Sequence, residues 1–147
     1  VRNWIILLLG LNVLSCAPAS SDKSFEEKLS VYGEILKQSL NADTLQSYFY
    51  KLPDGTPYPV TIADETFSSR SNKPVIEKFG QPVIFMTKDQ ADSANLGAYF
   101  WVTDFNCVDT VARIQLADPI RNILFGATYH YSHSQWELES VYFDVLK

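Results

Sequence analysis

The chain has two histidines, His130 and His133, and with Glu137 they form the pattern His-x2-His-x3-Glu. Two imidazoles and a carboxylate are a recognisable zinc set. This one is spread over a strand and the turn after it, where side-chain directions diverge, so no metal site is expected. A second group is Asp104, Asp109 and Arg113. A carboxylate beside a guanidinium in a closed cavity would do acid–base work. However, Ala112, Ile114 and Leu116 alternate with Arg113, which puts the guanidinium on the solvated side. A rim ion pair of little energetic weight is the expectation there. Neither a nucleophile elbow nor a Gly-rich phosphate loop is present, so no catalytic residue and no cofactor is assigned.

Aromatic residues offer wider scope. Tyr99, Trp101, Phe105, Tyr129, Tyr131, Trp136 and Tyr142 crowd the C-terminal part of the chain. One reading is a core between helix and sheet; the other is a lined pocket or partner groove, with Tyr99, Trp101, Tyr129 and Tyr131 as the ligand or partner face. Trp136 is expected to be buried against helix residues such as Tyr32 or Leu36. Cys107 lies in an apolar stretch with no adjoining Lys, Arg or His to lower its pKa, and it reads as a packed rather than a reactive thiol.

These residues need a scaffold. Ser24-Phe-Glu-Glu27 is a capping box. Phe25, Leu29, Tyr32, Leu36 and Leu40 then recur at helical spacing, with Val31 and Ile35 beside them, which predicts a helix over 25–41. From Leu96 onward half of all the aromatics fall between Tyr99 and Phe143, a β signature. Four strands are expected, over 98–107, 110–116, 122–132 and 136–145, joined by short connections and therefore antiparallel. In the last one Trp136 and Leu138 alternate with glutamates, whereas Val141, Phe143 and Val145 carry the opposite phase. That switch predicts a bulge near Ser140.

The middle is less regular. Residues 43–50 read as a short helix or a strand, 58–62 as an edge strand because of Pro59, 63–73 and 89–95 as polar loops, 74–79 as one helical turn ending at Gly80, and 83–86 as a short buried strand or turn. The sum is an α+β domain over 24–147: one long helix packed on a bent four-stranded antiparallel sheet.

At the N-terminus, Arg2 precedes the apolar run Trp4 to Leu14, and small Ser15 and Cys16 follow. This is the layout of a secretory signal over 1–15, too short to span a bilayer. Val13-Leu14-Ser15-Cys16 resembles the lipobox of bacterial lipoproteins. The resemblance implies cleavage before Cys16, lipid on its sulfur, and a membrane anchor for the envelope protein that follows. Residues 16–23 would then be a lipidated tether, and Ala17 after the cysteine leans toward the outer membrane.

The run Thr110 to Leu116, then Ile120 to Tyr131, then Ser134 to Ser140 resembles the closing hairpins of cystatin-like and NTF2-like folds. Such folds host enzymes, binders and passive modules alike, so the resemblance implies a fold and no function. The net charge of −5 argues against nucleic acid as a partner. The expectation is a membrane-anchored envelope lipoprotein whose domain binds a partner protein or a small apolar ligand. The alternative is a small isomerase or hydrolase with Asp104 or Asp109 as base and a tyrosine as acid.

Overall fold

The structure is a computed structural model, and it describes residues 24–146. The expected signal segment 1–15, the tether 16–23 and Cys16 lie outside the described residues. No helix among those described is long and apolar enough to cross a membrane.

Helix α1 (Phe25–Asn41) starts where the capping box puts it. The Ser24 hydroxyl accepts from the Glu27 amide, and the Glu27 carboxylate accepts from the Ser24 amide over 2.8 Å. Its buried stripe is Tyr32, Ile35, Leu36, Ser39 and Leu40, with Leu29 and Val31 against the core. Phe25 does not join that stripe. It is 60% exposed at the first turn, with the Arg70 guanidinium over its ring.

The helix packs on β5 (Phe100–Val108) and β6 (Val111–Asp118), which continue through β7 (Ile123–Ser132) to β8 (Gln135–Val145) as an antiparallel meander. Ala112, Ile114 and Leu116 face the helix, as do Phe125, Ala127 and Tyr129. The expected bulge is present: Thr128 pairs with Ser140 but Tyr129 pairs with Leu138, leaving Glu139 as the extra residue. That single insertion lets Trp136 and Leu138 share a face with Val141 and Phe143.

The sheet is larger than the expected four strands. It has six, in the order β4-β1-β5-β6-β7-β8, with β1 (Thr61–Ala63) and β4 (Ile84–Met86) added parallel to β5. The fold is therefore α+β with a mixed sheet. Thr61-Ile-Ala63 is buried throughout. A strand covered on both faces carries no alternation to read. The strand is interior rather than an edge, and Pro59 stays outside its ladder.

Residues 74–79 form no helical turn. Their backbone is drawn out so that Ile76 enters the core and Pro74 abuts Gly33, where a Cβ would sit 3.1 Å from the Pro74 ring. Glu77–Lys78 (β2) and Gln81–Pro82 (β3) then make a two-stranded ribbon. Phe79 and Gly80, both at positive φ, form its turn, the backbone a tight hairpin requires. The polar stretches contain short helices. Asp43–Gln46 (α2) follows α1 directly; Glu65–Ser68 (α3) is capped by Asp64, and Lys88–Ser93 (α4) by a Thr87/Gln90 capping box.

Successive strand residues point to opposite faces. Ile62 belongs to the main core beneath α1, whereas Ala63 belongs to a second, smaller cluster with Ala91 and Tyr99, flanked by Met86, Leu96 and Trp101. Helix α4 thus covers the far face of the sheet at its β1–β4 side.

Candidate functional site

That two-sided arrangement divides the expected aromatic face. Tyr129 is buried under α1, its hydroxyl 2.9 Å from the Ser39 hydroxyl. Tyr131 lies further along the same strand face, past the helix, where it is exposed and tilts against Trp136 across the ladder. Tyr99 and Trp101 sit on the opposite face. The Tyr99 hydroxyl donates to Asp92, and Lys88 stands 5.2 Å over the Trp101 ring. The four residues therefore form no common surface. Trp136 is buried in the same cluster as Tyr32 and Leu36.

The polar groups singled out in the sequence also separate. The His130 ring meets the Thr110 hydroxyl at 3.4 Å, whereas His133 lies 3.7 Å from Glu137. Among the described residues no group of three His, Cys, Asp or Glu side chains converges on a metal position. Arg113 is on the outer face opposite Asn106, Asp104 is opposite Gln115, and Asp109 is at the hairpin tip with φ of 51°. Cys107 is half-buried against the main core.

The structure does gather a site that the spacing did not reveal. A cleft of about 370 Å³ opens between the first half of α1, the β1–α3 junction and β5. Phe25, Leu29 and Tyr32 lie on one helix face, i, i+4 and i+7, and form one wall with Lys28. Val102 and Phe105 form the other wall. Thr103 bulges between them because Val102 pairs with Leu116 while Asp104 pairs with Gln115. Asp104 stands at the rim.

At the inner end the Tyr32 hydroxyl donates to Asp64 Oδ2 over 2.6 Å, and both groups are buried. The backbone fixes Asp64 twice. Its amide donates to the Met86 carbonyl, extending the β1–β4 ladder, and its Oδ1 accepts from the Thr66 amide at 2.7 Å as the α3 cap. The Tyr32 ring is stacked between Phe67 and Phe105, with centroids 4.7 and 4.3 Å away. Burial, then the adjacent Asp64 charge, pushes the Tyr32 phenol far above its ordinary value. Tyr32 therefore keeps its proton, which is committed to Asp64, and the pair lies at the base of largely apolar walls.

The second buried carboxylate is Asp118. Both its oxygens accept from the Tyr50 hydroxyl, at 2.9 and 3.0 Å, and Oδ1 also accepts from the Ile120 and Arg121 amides. Arg121 stacks on the Tyr50 ring. This carboxylate closes the β6–β7 turn.

Asp64 was missed because 63–73 reads as polar loop. The available signal was an Asp three residues before an apolar Phe67, the pattern of a helix cap.

No family model matches the chain, and no curated protein or solved structure matches it significantly.

Proposed function

We propose that this is a lipid-anchored bacterial envelope protein, probed from its sequence by one feature above all: Val13-Leu14-Ser15-Cys16 directly after an apolar segment. On this reading Cys16 carries the lipid, 1–15 is removed, and 16–23 tethers the domain to the membrane, the outer membrane being the favoured one. Two or more acyl chains give stable anchoring. The finer fold assignment is cystatin-like or NTF2-like, supported by the long helix laid on an antiparallel meander. The parallel β1 and β4 are additions to that plan.

The domain's role on this reading is binding without catalysis. What supports it is that each buried carboxylate is already engaged by a phenol and by backbone amides. The cleft under α1 has the size and the mostly apolar lining of a small-molecule site with a few convergent polar groups. It takes a small apolar ligand carrying one polar group that meets the Tyr32–Asp64 pair.

Mass spectrometry of the membrane fraction tests the anchor: a diacylated or triacylated Cys16 with residues 1–15 gone is expected, and an intact unlipidated N-terminus overturns it. The cleft is tested by extracting small molecules that co-purify with the full chain. Val102→Trp, which fills the cleft from the β5 wall, should abolish their retention.

One observation favours a second reading. Asp104 stands at the rim of the cleft, where a carboxylate would be the base of a small isomerase or hydrolase. Turnover that is lost in Asp104→Asn while the melting temperature holds would favour the enzyme.

A further inference from the structure

The two edges of the sheet are built differently. At one edge β4 has three residues and is followed at once by α4. At the other, β8 has eleven residues and no described element beyond it. Proteins usually blunt an exposed edge with short strands, Lys, Pro or a bulge. The first half of β8 is blunted by the bulge at Glu139 and by Glu137. The second half, Val141 to Val145, is regular, contains no Lys or Pro, and exposes Phe143 to 37% and Val145 to 60%.

The direction of its backbone groups follows from one bond. The Leu146 amide donates to Asn122 O, toward β7. In an antiparallel ladder the amides alternate between the two sides. Those of Asp144 and Tyr142 therefore also face β7, and those of Val145, Phe143 and Val141 face outward. The outward groups belong to the same three residues whose side chains lie on the α1 face of the sheet, opposite Ile123, Phe125 and Ala127.

We infer that this half-strand pairs antiparallel with the same half-strand of a second copy, about a two-fold axis at Phe143, to join two six-stranded sheets into one. In that register Phe143 lies opposite Phe143 of the other copy, and Val141 lies opposite Val145. The three outward amide and carbonyl pairs of each copy then meet one another. The three apolar side chains of each copy form one continuous row, backed by Tyr48, whose ring stacks on Phe143 at 4.6 Å. Opposed apolar pairs of this kind stabilise a ladder.

The acidic residues do not oppose it. Asp144 lies opposite Tyr142, and Glu137 and Glu139 fall outside the paired stretch. A shift of the axis to Glu137 would set two carboxylates face to face, so charge selects the register as well. A foreign strand would meet the same edge without this self-matching. Neither the lipid anchor nor the cleft takes part in this pairing.

One feature opposes pairing in the single copy. Asp144 Oδ1 accepts from the Val145 amide at 2.8 Å, occupying an outward donor. Release of this contact should strengthen the pair.

The test uses register-specific cysteines in the full-length chain. Val141→Cys and Val145→Cys, carried on two differently tagged copies and co-expressed, should give a disulfide-linked dimer on mild oxidation, because directly opposed residues have the Cα separation a disulfide needs. Either variant expressed alone should give several-fold less, since two copies of position 141, or of position 145, are offset along the strands. Asp144→Ala should raise the crosslinked fraction. Equal crosslinking from each single variant alone overturns the register. Absence of any dimer in the mixed sample, with both variants folded by circular dichroism, overturns the self-pairing, as does capture of a different protein by position 145 in place of the second copy.

Discussion

The ring of Tyr142 lies flat over Gly126, so that a Cβ on residue 126 would come within 2.1 Å of ring carbons. The two residues are directly opposed across β7 and β8, and beyond β7 the Tyr142 hydroxyl accepts from Nε2 of Gln115 on β6 at 2.7 Å. Glycine in the middle of a strand costs stability by itself; here it opens the path that lets one side chain bridge three strands. Gly126→Ala should displace the ring and destabilise the domain by about 1–3 kcal/mol as overpacking. In a Tyr142→Ala background the same change should be neutral or stabilising. Denaturant titration of the four proteins gives the coupling, and simple additivity would mean that the ring does not lie on Gly126.

The Tyr32–Asp64 pair ties α1 to the sheet beneath the cleft. Tyr32→Phe keeps the stacked ring and removes only the donor to a carboxylate, so a loss of about 1.5–3 kcal/mol is expected. Asp64→Ala leaves the Tyr32 hydroxyl and the Thr66 amide without their acceptor and should cost about 2–4 kcal/mol. Chemical denaturation ranks the two. If Tyr32→Phe proves the more damaging, the hydroxyl has a further role in the cleft.

How much of this was legible follows from what each segment packs against. The bounds of α1, the four-strand meander and the bulge beside Ser140 could be read because each element is covered on one face only, so its pattern alternates. Thr61-Ile-Ala63 is covered on both faces and loses its period. The aromatic face failed for a related reason. Tyr99 and Tyr129 are equally apolar in sequence, but Tyr129 points to α1 and Tyr99 to α4, and an unpredicted α4 left the second face without a partner. The cleft was invisible because Tyr32 and Asp64 are brought together by the return of the chain through β1, a contact that no local spacing encodes.

Tyrosine ionisation should make the fold sensitive to alkali. Burial first, and then the hydrogen bond to Asp92, pushes Tyr99 from 10.0 up to about 12. Burial likewise raises Tyr32, Tyr50 and Tyr129. A phenol whose pKa is higher in the folded state holds its proton more tightly there than in the unfolded chain. The stability it contributes is therefore complete below about pH 10 and is lost as pH rises through the folded-state value. Stability should decline across that window, and phenolate absorbance should show a late fraction that titrates with unfolding. Tyr99→Phe should remove part of that decline; an unchanged profile would show that Tyr99 ionisation does not contribute to it.

The β7–β8 turn uses residues ill suited to its backbone. His133 and Ser134 both have positive φ, 49° and 66°, in the two-residue connection between the paired Ser132 and Gln135. Asn-Gly is the favoured filling of such a turn, and a residue with a Cβ costs roughly 1–2 kcal/mol in the left-handed region. Ser134→Gly should therefore stabilise by about 1 kcal/mol and raise the melting temperature. A lowered melting temperature would mean that the Ser134 side chain contributes more than its backbone costs.

Trp136 follows that turn at the start of β8, opposite Tyr131, and its ring is buried in the main cluster while Gln135 and Glu137 on either side are exposed. One large side chain thus fastens the last hairpin to the core. Its ring meets Tyr131 at 5.2 Å, so the exposed tyrosine acts as its outer cover. Truncating a buried Trp to Ala costs about 3–5 kcal/mol, against a total of roughly 5–15 kcal/mol for a domain. Trp136→Ala should lower the melting temperature sharply, whereas Tyr131→Ala should have a much smaller effect. Any loss of binding in Trp136→Ala should follow the unfolded fraction and recover on cooling. A variant that melts like the parent yet fails to bind would make the Trp136–Tyr131 pair a binding surface in place of a fastening.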